Sequence, residues 1–466
     1  MARSEETLRL AGWLQSRGGV VHEALELFAR RPSGLRGVFA LARIPCGTLL
    51  LRLPRSAVLS LCDGDPLWMP RSTGDMSAVL RTALYLLREM AHGSASEWAP
   101  YIASLPNEYN TLDSWSSEEI DALRGTAVYD ELAELRDLRT GHPVGPARVL
   151  WDRSIAPLVA QFQQLWPDAS FDSFLHACAT VRTRGFFDSA VTGGPYMLPA
   201  IDMLNHSRAG TATSLVVERD GDMLVFSMEA ERDIEAGEEL THMYDHFDDA
   251  QLLLTYGFIS SPGEGVLPST ARITLQAIAD STAKVLVDSS NESGRESWAA
   301  KLVACKQLLS AHGGKVGVTV VEPLPDELFT ATLLLLLPFS DFEAVLLEGG
   351  CIDDEAPSSI PLLDRKLLRG EPALAAAVAE AISGAVEQTL LRYANEDETT
   401  AQSCSCSARR FEMAKSLKEA ERAALLETQK KAFTLLELVR SGESDASDIE
   451  SGTEESTDQL EVTIDN

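Results

Sequence analysis

The stretch Asp202-Met-Leu-Asn-His-Ser207 is the part of this 466-residue sequence on which the assignment of the fold depends. It holds an acid, an amide, an imidazole and a hydroxyl within six residues. Two aromatic segments follow it, at Tyr244 and at Tyr256-Gly-Phe258. A single tyrosine is more often a core residue than a site residue, so the assignment depends on how these segments combine with the elements around them.

A metal site is the first chemistry to consider for these residues. His242 and His246 stand four residues apart, and Asp202 and His206 form a second pair. Zinc needs three or four convergent ligands, often with a carboxylate base. The sequence has no His-Glu-x-x-His motif, and residues 241–244 follow a strand pattern, in which residues i and i+4 lie about 13 Å apart. We therefore expect no metal site.

The motifs of other common catalysts are missing from the sequence. Ser207 follows His206, but no Gly-x-Ser-x-Gly turn is present to form a serine nucleophile. Neither a Gly-x-Gly-x-x-Gly motif nor a Gly-Lys-Ser/Thr phosphate loop occurs. The remaining candidate is a site centred on Tyr244.

Two stretches of similar pattern flank a long insertion. Residues 33–54 and 223–240 each contain Arg, then Ile, then a turn with Gly, then Leu. Their apolar and β-branched runs predict a hairpin of two short strands in each stretch. We interpret them as the two halves of one sheet architecture, separated by a largely helical insertion at about 62–180. Residues 5–30 are also predicted to be helical, with a break at Gly18-Gly19.

Helical patterns dominate the rest of the chain. The apolar stripe from Met76 to Met90 predicts an amphipathic helix in the insertion, and another helix, from Phe171 to Val181, precedes Arg184. Beyond Pro262 a short strand is followed by helices, and we find no clustered chemistry there. The elements predicted in this region are a strand at 271–275 and helices at 327–337, 372–394 and 408–440.

Composition and charge restrict the class of partner. The chain has a net charge of -30, with 45% hydrophobic and 24% charged residues. Such a charge excludes most nucleic-acid binders, which neutralise phosphates with Lys and Arg, and it favours basic partners. Residues 441–466 contain no Lys or Arg, and we predict that this acidic tail is disordered.

Cysteine usage and apolar runs bear on the compartment. The seven cysteines are scattered without a Cys-x-x-Cys pair, so neither a zinc finger nor a disulfide framework is indicated. Reduced thiols and the lack of a signal peptide predict a cytoplasmic or nuclear protein. The longest apolar run, near 333–338, is shorter than a membrane span.

In this order, the segments resemble the SET-domain protein methyltransferases, in the branch of the Rubisco large-subunit lysine methyltransferase and the actin-histidine methyltransferase. The resemblance covers about residues 5–440 and implies an α+β fold. That fold is a SET-type β fold with a pseudoknot and a helical insertion (1–262), a mostly α-helical substrate-binding domain (263–440) and the acidic tail (441–466). The resemblance rests on Gly34-Leu-Arg-Gly-Val-Phe-Ala40, Arg184, Asp202-Met-Leu-Asn-His-Ser207, residues 231–240 with Tyr244, and Tyr256-Gly-Phe258.

The resemblance implies S-adenosyl-L-methionine as the cofactor and Tyr244 as the catalytic residue. Arg184 would face the methionine carboxylate, a pairing that suits the guanidinium fork. The implied substrate-binding residues are Phe186, Tyr244 and Tyr256. The implied cofactor-binding residues are Gly34, Leu35, Arg36, Arg184, Asp202, Asn205, His206, Tyr256, Gly257 and Phe258.

Phe186 favours lysine as the methyl acceptor, because lysine-methylating members of this branch carry an aromatic at that position and histidine-methylating members an Asn. We therefore expect an S-adenosylmethionine-dependent protein-lysine N-methyltransferase. Its substrate would be a non-histone protein with a basic segment, and the enzyme a monomer that binds neither nucleic acid nor membrane. Two alternatives remain open: a histidine acceptor, and a catalytically silent adaptor, which the altered loop at 245–251 would permit.

Overall fold

The structure, a computed structural model, divides into two compact units. Unit 1 takes its described residues from Met1–Ser117 and Leu132–Leu267, and unit 2 from Glu118–Glu131 and Pro268–Asn466. Residues 118–131 lie inside the predicted insertion yet pack with unit 2. The structure describes residues 2–31, 34–61, 64–135, 145–188, 191–207, 211–220, 223–260, 269–286, 292–348, 360–393 and 405–441.

A mixed sheet forms the centre of unit 1. Its strand order is β1-β4-β9-β8-β10-β3-β2, with β7 beside β10, and β5 pairs separately with β6. The strands are β1 (Val20–Val21), β2 (Leu25–Arg30), β3 (Arg36–Ala40), β4 (Leu49–Pro54), β5 (Gly185–Asp188), β6 (Val191–Met197), β7 (Asn205–His206), β8 (Thr213–Asp220), β9 (Met223–Ala230), β10 (Glu239–His242) and, in unit 2, β11 (Ala271–Thr274) and β12 (Lys315–Val318).

Helices fill the insertion and most of unit 2. They are α1 (Glu5–Ser16), α2 (Ala78–His92), α3 (Ala99–Ile102), α4 (Ser117–Asp121), α5 (Ala127–Leu135), α6 (Gly145–Leu150), α7 (Ala156–Gln161), α8 (Phe171–Arg184), α9 (Asp249–Tyr256), α10 (Leu275–Val285), α11 (Glu292–Leu308), α12 (Asp326–Leu336), α13 (Phe339–Glu348), α14 (Pro372–Leu390) and α15 (Ser405–Ser441).

The N-terminal segment is helical only as far as Ser16, so the prediction of helix over 5–30 is wrong beyond that point. Gly18 adopts a left-handed φ of 81°, and the main-chain N of Gly19 donates to the carbonyl of Leu14 at 2.9 Å. The chain thus reverses after α1 and continues as β1 and β2. Their β-branched and apolar residues also fit a helical period over so short a run, which is why the pattern misled.

The two repeated stretches do not form the predicted hairpins. Instead they pair with each other: β4 lies antiparallel to β9, and β3 lies antiparallel to β10. The turns between the strands meet as well, since the main-chain N of Ile44 and of Ile234 each donate to the other's carbonyl at 2.9 Å. Both isoleucines are fully buried. The prediction that the repeats are two halves of one sheet is confirmed, with a different pairing.

The stretch from Asp202 to Ser207 enters this sheet next to the second repeat. Asp202 lies in a 3-10 turn, and β7 runs parallel to β10, with Asn205 opposite Thr241 and His206 opposite His242. After β10 the chain passes back over His206, since the main-chain N of Tyr244 donates to His206 Nδ1 at 3.1 Å. The candidate residues therefore lie at this crossing.

The insertion brings Arg184 to the same place. α8 packs against α2 around the buried side chains of Phe174, Leu84 and Leu87. It continues three residues beyond the predicted end at Val181, so Arg184 is its last residue and β5 begins at Gly185. The position of Arg184 is therefore fixed by a helix that packs against α2.

Unit 2 is built on the β11–β12 pair and helices α10 to α15 around one hydrophobic core. The fully buried Glu421 of α15 explains why residues 118–131 pack here. Its carboxylate accepts hydrogen bonds from the main-chain N of Ala127 at 3.1 Å and from the hydroxyl of Tyr393 at 2.7 Å. A buried charge requires such partners, so this contact fixes the start of α5 to unit 2.

One segment of unit 2, Pro372–Tyr393, is long and apolar enough to cross a membrane by length and composition, which the sequence prediction overlooked. Half of its most apolar window is buried inside the structure, around residues such as Val378, Ile382 and Val386. Burial in the core accounts for its apolar composition. Of the predicted acidic tail, Ser441 is the last residue of α15, and the remainder lies outside the described residues.

Candidate active site

A cavity of about 260 Å³ lies in unit 1 where α8, β10 and the turn before β7 meet. Its floor and sides come from the end of α8, the start of β5, the Asp202 turn and the segment that follows β10. The residues that line it are Thr183, Arg184, Gly185, Phe186, Phe187, Asp202, Leu204, His242, Tyr244, Asp245, Phe247 and Tyr256.

Tyr244 is held in this cavity by its hydroxyl and by its ring. The hydroxyl donates to the carbonyl of Leu204 at 2.8 Å, and the ring centroid lies 4.9 Å from that of Tyr256 and 5.2 Å from that of His206. Burial raises the pKa of Tyr244 well above its usual value, although the positive charge of Arg184 opposes this. The phenol is therefore neutral at physiological pH and acts as a hydrogen-bond donor.

Six rings line the cavity: that of the exposed Phe187 and those of Phe186, His242, Tyr244, Phe247 and Tyr256, which we call the aromatic cage. Phe186 stacks on His242 with centroids 6.0 Å apart and an angle of 29° between the planes. Burial lowers the pKa of His242 to about 4, so its imidazole is neutral. Burial, with the nearby charge of Asp245, raises the pKa of Tyr256 to about 12. The cage is thus uncharged at neutral pH.

A buried ion pair lies next to the cage. The guanidinium of Arg184 donates to the main-chain carbonyl of Asp202, and its Nη1 lies 3.7 Å from Asp202 Oδ2. The hydroxyl of Tyr101 donates to the same Oδ2 at 2.9 Å. Burial raises the pKa of Asp202, while the charge of Arg184 acts against that rise. The side chain of Asp202 is only 1% exposed, so its carboxylate pairs with Arg184 out of contact with solvent and helps to position the guanidinium.

Two buried polar atoms of this pair have no hydrogen-bond partner in the part of the chain that the structure describes. They are Arg184 Nε and Asp202 Oδ1. An unpartnered buried polar atom costs about 1–3 kcal/mol, so a ligand that reaches these groups would recover part of that cost. The arrangement fits a small ligand with a carboxylate for the guanidinium.

Asn205 has a structural contact that the sequence did not predict. Its Nδ2 donates to the main-chain carbonyl of Arg36 at 2.8 Å and to Glu239 Oε1 at 2.7 Å. It therefore joins β7 to β3 and β10. The guanidinium of Arg36 donates to the carbonyl of Ser104 at 2.6 Å, and burial, together with the charge of Arg184, lowers its pKa. Arg36 is thus near the ion pair without lining the cavity.

Gly34 and Leu35 form the turn between β2 and β3. Gly34 has a left-handed φ of 85°, and its main-chain N donates to the carbonyl of Arg31 at 2.8 Å. Both residues are exposed, and neither lines the cavity. Their role in cofactor binding stays a prediction.

Gly257 and Phe258 end α9 beside the cage. Gly257 has a φ of 80°, and its carbonyl accepts a hydrogen bond from Asn110 Nδ2 at 2.6 Å. The ring of Phe258 lies 6.1 Å from that of His206. These contacts hold the segment after Tyr256 against the insertion and against the Asp202–Ser207 stretch.

The structure brings together, at the cavity, five of the predicted site residues: Arg184, Phe186, Asp202, Tyr244 and Tyr256. Ring contacts add His206 and Phe258. The other lining residues were not predicted as site residues, although each lies within a few positions of one that was. They are Thr183, Gly185, Phe187, Leu204, His242, Asp245 and Phe247. Sequence reasoning also missed Tyr101 and Asn110, for which the sequence offers no signal, since both lie in the insertion about a hundred residues or more from their partners.

The two histidines considered as metal ligands lie in different surroundings. His242 ends β10 in the aromatic cage, whereas His246 is exposed in the loop that follows. Among the described residues, no group of three or more His, Cys, Asp or Glu side chains gathers into a possible metal site.

Comparison with known proteins identifies the central region. Residues 35–245 match the SET domain family. The Rubisco large-subunit N-methyltransferase of Pisum sativum is 25% identical over 255 residues, which cover 53% of this chain and 50% of that protein. The actin-histidine N-methyltransferase of Drosophila melanogaster is 37% identical over 115 residues, covering 24% of this chain and 20% of that protein. The chain thus matches half, or less, of the length of these relatives.

Solved structures extend the likeness of the fold to nearly the whole chain. The structure of Rubisco LSMT bound to AdoMet superposes with a TM-score of 0.62 at 20% identity, over 94% of each chain. The structure of the LSMT SET domain bound to lysine and AdoHcy gives a TM-score of 0.63 at 19% identity, again over 94% of each chain. At identities of 19–20% this likeness shows the fold alone, and it confirms the predicted SET-type fold.

Proposed function

We propose that this chain, whose residues 35–245 match the SET domain family, is an S-adenosylmethionine-dependent protein-lysine N-methyltransferase. The observation that supports this most directly is the neutral, half-buried Tyr244 inside an uncharged aromatic cage, next to the Arg184–Asp202 pair. A cage for the acceptor side chain and a cation for a carboxylate ligand lie side by side. Both are needed for a transfer between two bound molecules.

The ion pair would hold the cofactor. Arg184 presents a guanidinium whose Nε has no partner among the described residues, and its fork suits a carboxylate such as that of a methionine group. Asp202 pairs with this guanidinium, and the hydroxyl of Tyr101 donates to the Asp202 carboxylate. When bound there, S-adenosylmethionine would supply an electrophilic methyl group on its sulfonium.

The aromatic cage would prepare the acceptor amine. A lysine amine attacks only when uncharged, and an apolar, poorly hydrated surrounding disfavours the ammonium form. The rings of Phe186, Tyr244 and Tyr256 supply such a surrounding, and the proton leaves to water before transfer. The Tyr244 hydroxyl lies at the Leu204 carbonyl, where the two can orient the amine. Holding the reactants at attack geometry can supply several kcal/mol of the acceleration.

Phe186 supports lysine over histidine as the acceptor. Its ring stacks on His242 and forms one side of the cage, where it offers no hydrogen bond to an imidazole. A long aliphatic chain packs well on such a surface. A histidine acceptor is the second candidate, favoured by the 37% identity to the Drosophila actin-histidine methyltransferase.

A transfer assay tests the proposal and separates the candidates. The purified chain is incubated with methyl-labelled S-adenosylmethionine and a cell lysate, and mass spectrometry identifies the modified residue. We expect a methylated lysine in a non-histone protein. Methylhistidine would instead establish the second candidate. The absence of both transfer and a thermal shift with S-adenosylmethionine would contradict methyltransferase activity and favour a silent adaptor.

A further inference from the structure

A third charged residue lines the cavity beside the Arg184–Asp202 pair. Asp245 follows Tyr244 directly, is exposed, and lines the cavity with Phe247 and Tyr256. Its Oδ1 accepts a hydrogen bond from the main-chain N of His246 at 2.7 Å, which holds the carboxylate in place. Among the ion pairs of the described residues, none involves Asp245. The cavity therefore has a fixed carboxylate at its solvent edge.

The other charges of the cavity leave that carboxylate uncompensated. Arg184 and Asp202 are the remaining charged lining residues, and they offset each other across 3.7 Å. Asp245 also acts electrostatically on the cage, since its charge contributes to the raised pKa of Tyr256. The entrance to an uncharged cage is thus negative.

We propose that the Asp245 carboxylate binds the cationic head group of the acceptor side chain at the entrance to the aromatic cage. This inference rests on the proposed function and makes its acceptor more specific. A lysine ammonium is fully charged at neutral pH, whereas a histidine with a pKa of about 6.5 is mostly neutral. An uncompensated carboxylate therefore attracts lysine in preference to histidine.

Attraction at the entrance and loss of the proton inside are compatible because they occur in different surroundings. Asp245 is exposed, so the ammonium meets it while still hydrated. Tyr244 and Phe186 are half-buried, and beside them the uncharged amine is favoured. Asp245 thus concentrates the acceptor without forming part of the site of transfer.

The variant Asp245→Asn isolates the charge, because it keeps the side-chain shape and the oxygen that accepts from His246. The full chain, saturated with S-adenosylhomocysteine, is titrated with Nα-acetyl-lysine methylamide and with the neutral Nα-acetyl-norleucine methylamide, using ligand-observed NMR. We expect the variant to bind the lysine compound about fivefold more weakly, as for unit charges about 4 Å apart in water. Affinity for the norleucine compound should not change.

Asp75→Asn is the matched control, since Asp75 is exposed in unit 1 and does not line the cavity. An equal loss in this control would assign the effect to net charge and overturn the inference, as would an unchanged lysine affinity in Asp245→Asn. Calorimetry with S-adenosylhomocysteine separates a failure of this inference from a failure of the proposed function. If the cofactor product binds and lysine affinity is unchanged, only the role of Asp245 is wrong. If it does not bind, the methyltransferase proposal falls, and the inference with it.

Discussion

The hydroxyl of Tyr244 donates a hydrogen bond to the carbonyl of Leu204 across 2.8 Å, between residues 40 positions apart in the chain. This bond joins the segment after β10 to the Asp202–Ser207 stretch at the centre of the cavity. The main chain supports the same crossing, since the N of Tyr244 donates to His206 Nδ1. The phenol is therefore fixed in direction before any ligand binds, as preorganised catalysis requires.

Replacing Tyr244 by Phe removes this hydroxyl and keeps the ring in the aromatic cage. We expect methyl transfer to the acceptor found in the lysate assay to fall by about 10²–10³-fold, the usual effect of losing one preorganised polar group. Cofactor affinity should be unchanged, because the hydroxyl bonds to Leu204 and not to the Arg184 pair. Single-turnover rates and calorimetry measure the two effects. A Phe variant that turns over at the wild-type rate would contradict a catalytic role.

Asn205→Ala tests whether the amide acts on the fold or on the cofactor. Because Nδ2 joins Arg36 and Glu239, its loss leaves both acceptors short of a donor and should cost about 1–3 kcal/mol of unfolding free energy. Urea unfolding measures this, with the exposed Asn107→Ala as control. The family resemblance implies a cofactor-binding role for Asn205 instead. A variant of wild-type stability with weakened cofactor binding would favour that role.

Much of the fold followed from local patterns. The helical insertion and most of α12, α14 and α15 lie where apolar periodicity predicted them, because their apolar side chains pack into the hydrophobic cores of the units. The strand pairing did not follow. β3 and β9 each pair with a strand from the other repeat, and alternation of apolar residues indicates a strand without indicating its partner.

The candidate site was predictable only where its residues belong to the segments that carry the SET-domain resemblance. Arg184, Asp202, Tyr244 and Tyr256 were found through their order along the chain, and they line one cavity. Tyr101 was not, since its bond to Asp202 spans 101 residues and arises from packing of the insertion. Tertiary contacts of that range leave no local trace in one sequence.

Glu26→Gln tests a buried carboxylate that fixes α1 to β2. Glu26 accepts hydrogen bonds from the hydroxyls of Ser4 and Thr7 and from the main-chain N of Ser4 and Phe28. Burial alone would raise its pKa, but these bonds prevail and lower it from 4.5. The carboxylate therefore stabilises the fold above pH 4.5, and this contribution is lost as the pH falls through the lower folded-state value.

For Glu26→Gln we expect a loss of about 1.5–3 kcal/mol at pH 7, the range for hydrogen bonds to a charged group. The difference from wild type should shrink as the pH drops below 4.5, where the wild-type carboxylate also takes up its proton. Urea unfolding at a series of pH values measures the difference. A gap that stays constant down to pH 3 would show that packing, and not the charge, is responsible.

Gly257 is the position at which we expect the largest effect of one added methyl group. Its φ of 80° disfavours any side chain, and a Cβ there would lie 2.1 Å from the carbonyl oxygen of Asn110. Gly257→Ala should therefore cost about 2–5 kcal/mol, combining backbone strain with overpacking. Gly237→Ala is the matched control, because Gly237 has a similar φ of 85° but no atom within 4 Å of the added Cβ, so it should show the strain alone. Thermal unfolding of the two variants measures the difference. Equal losses would mean that the Asn110 main chain moves aside, and that the segment after Tyr256 is held more loosely than its contacts indicate.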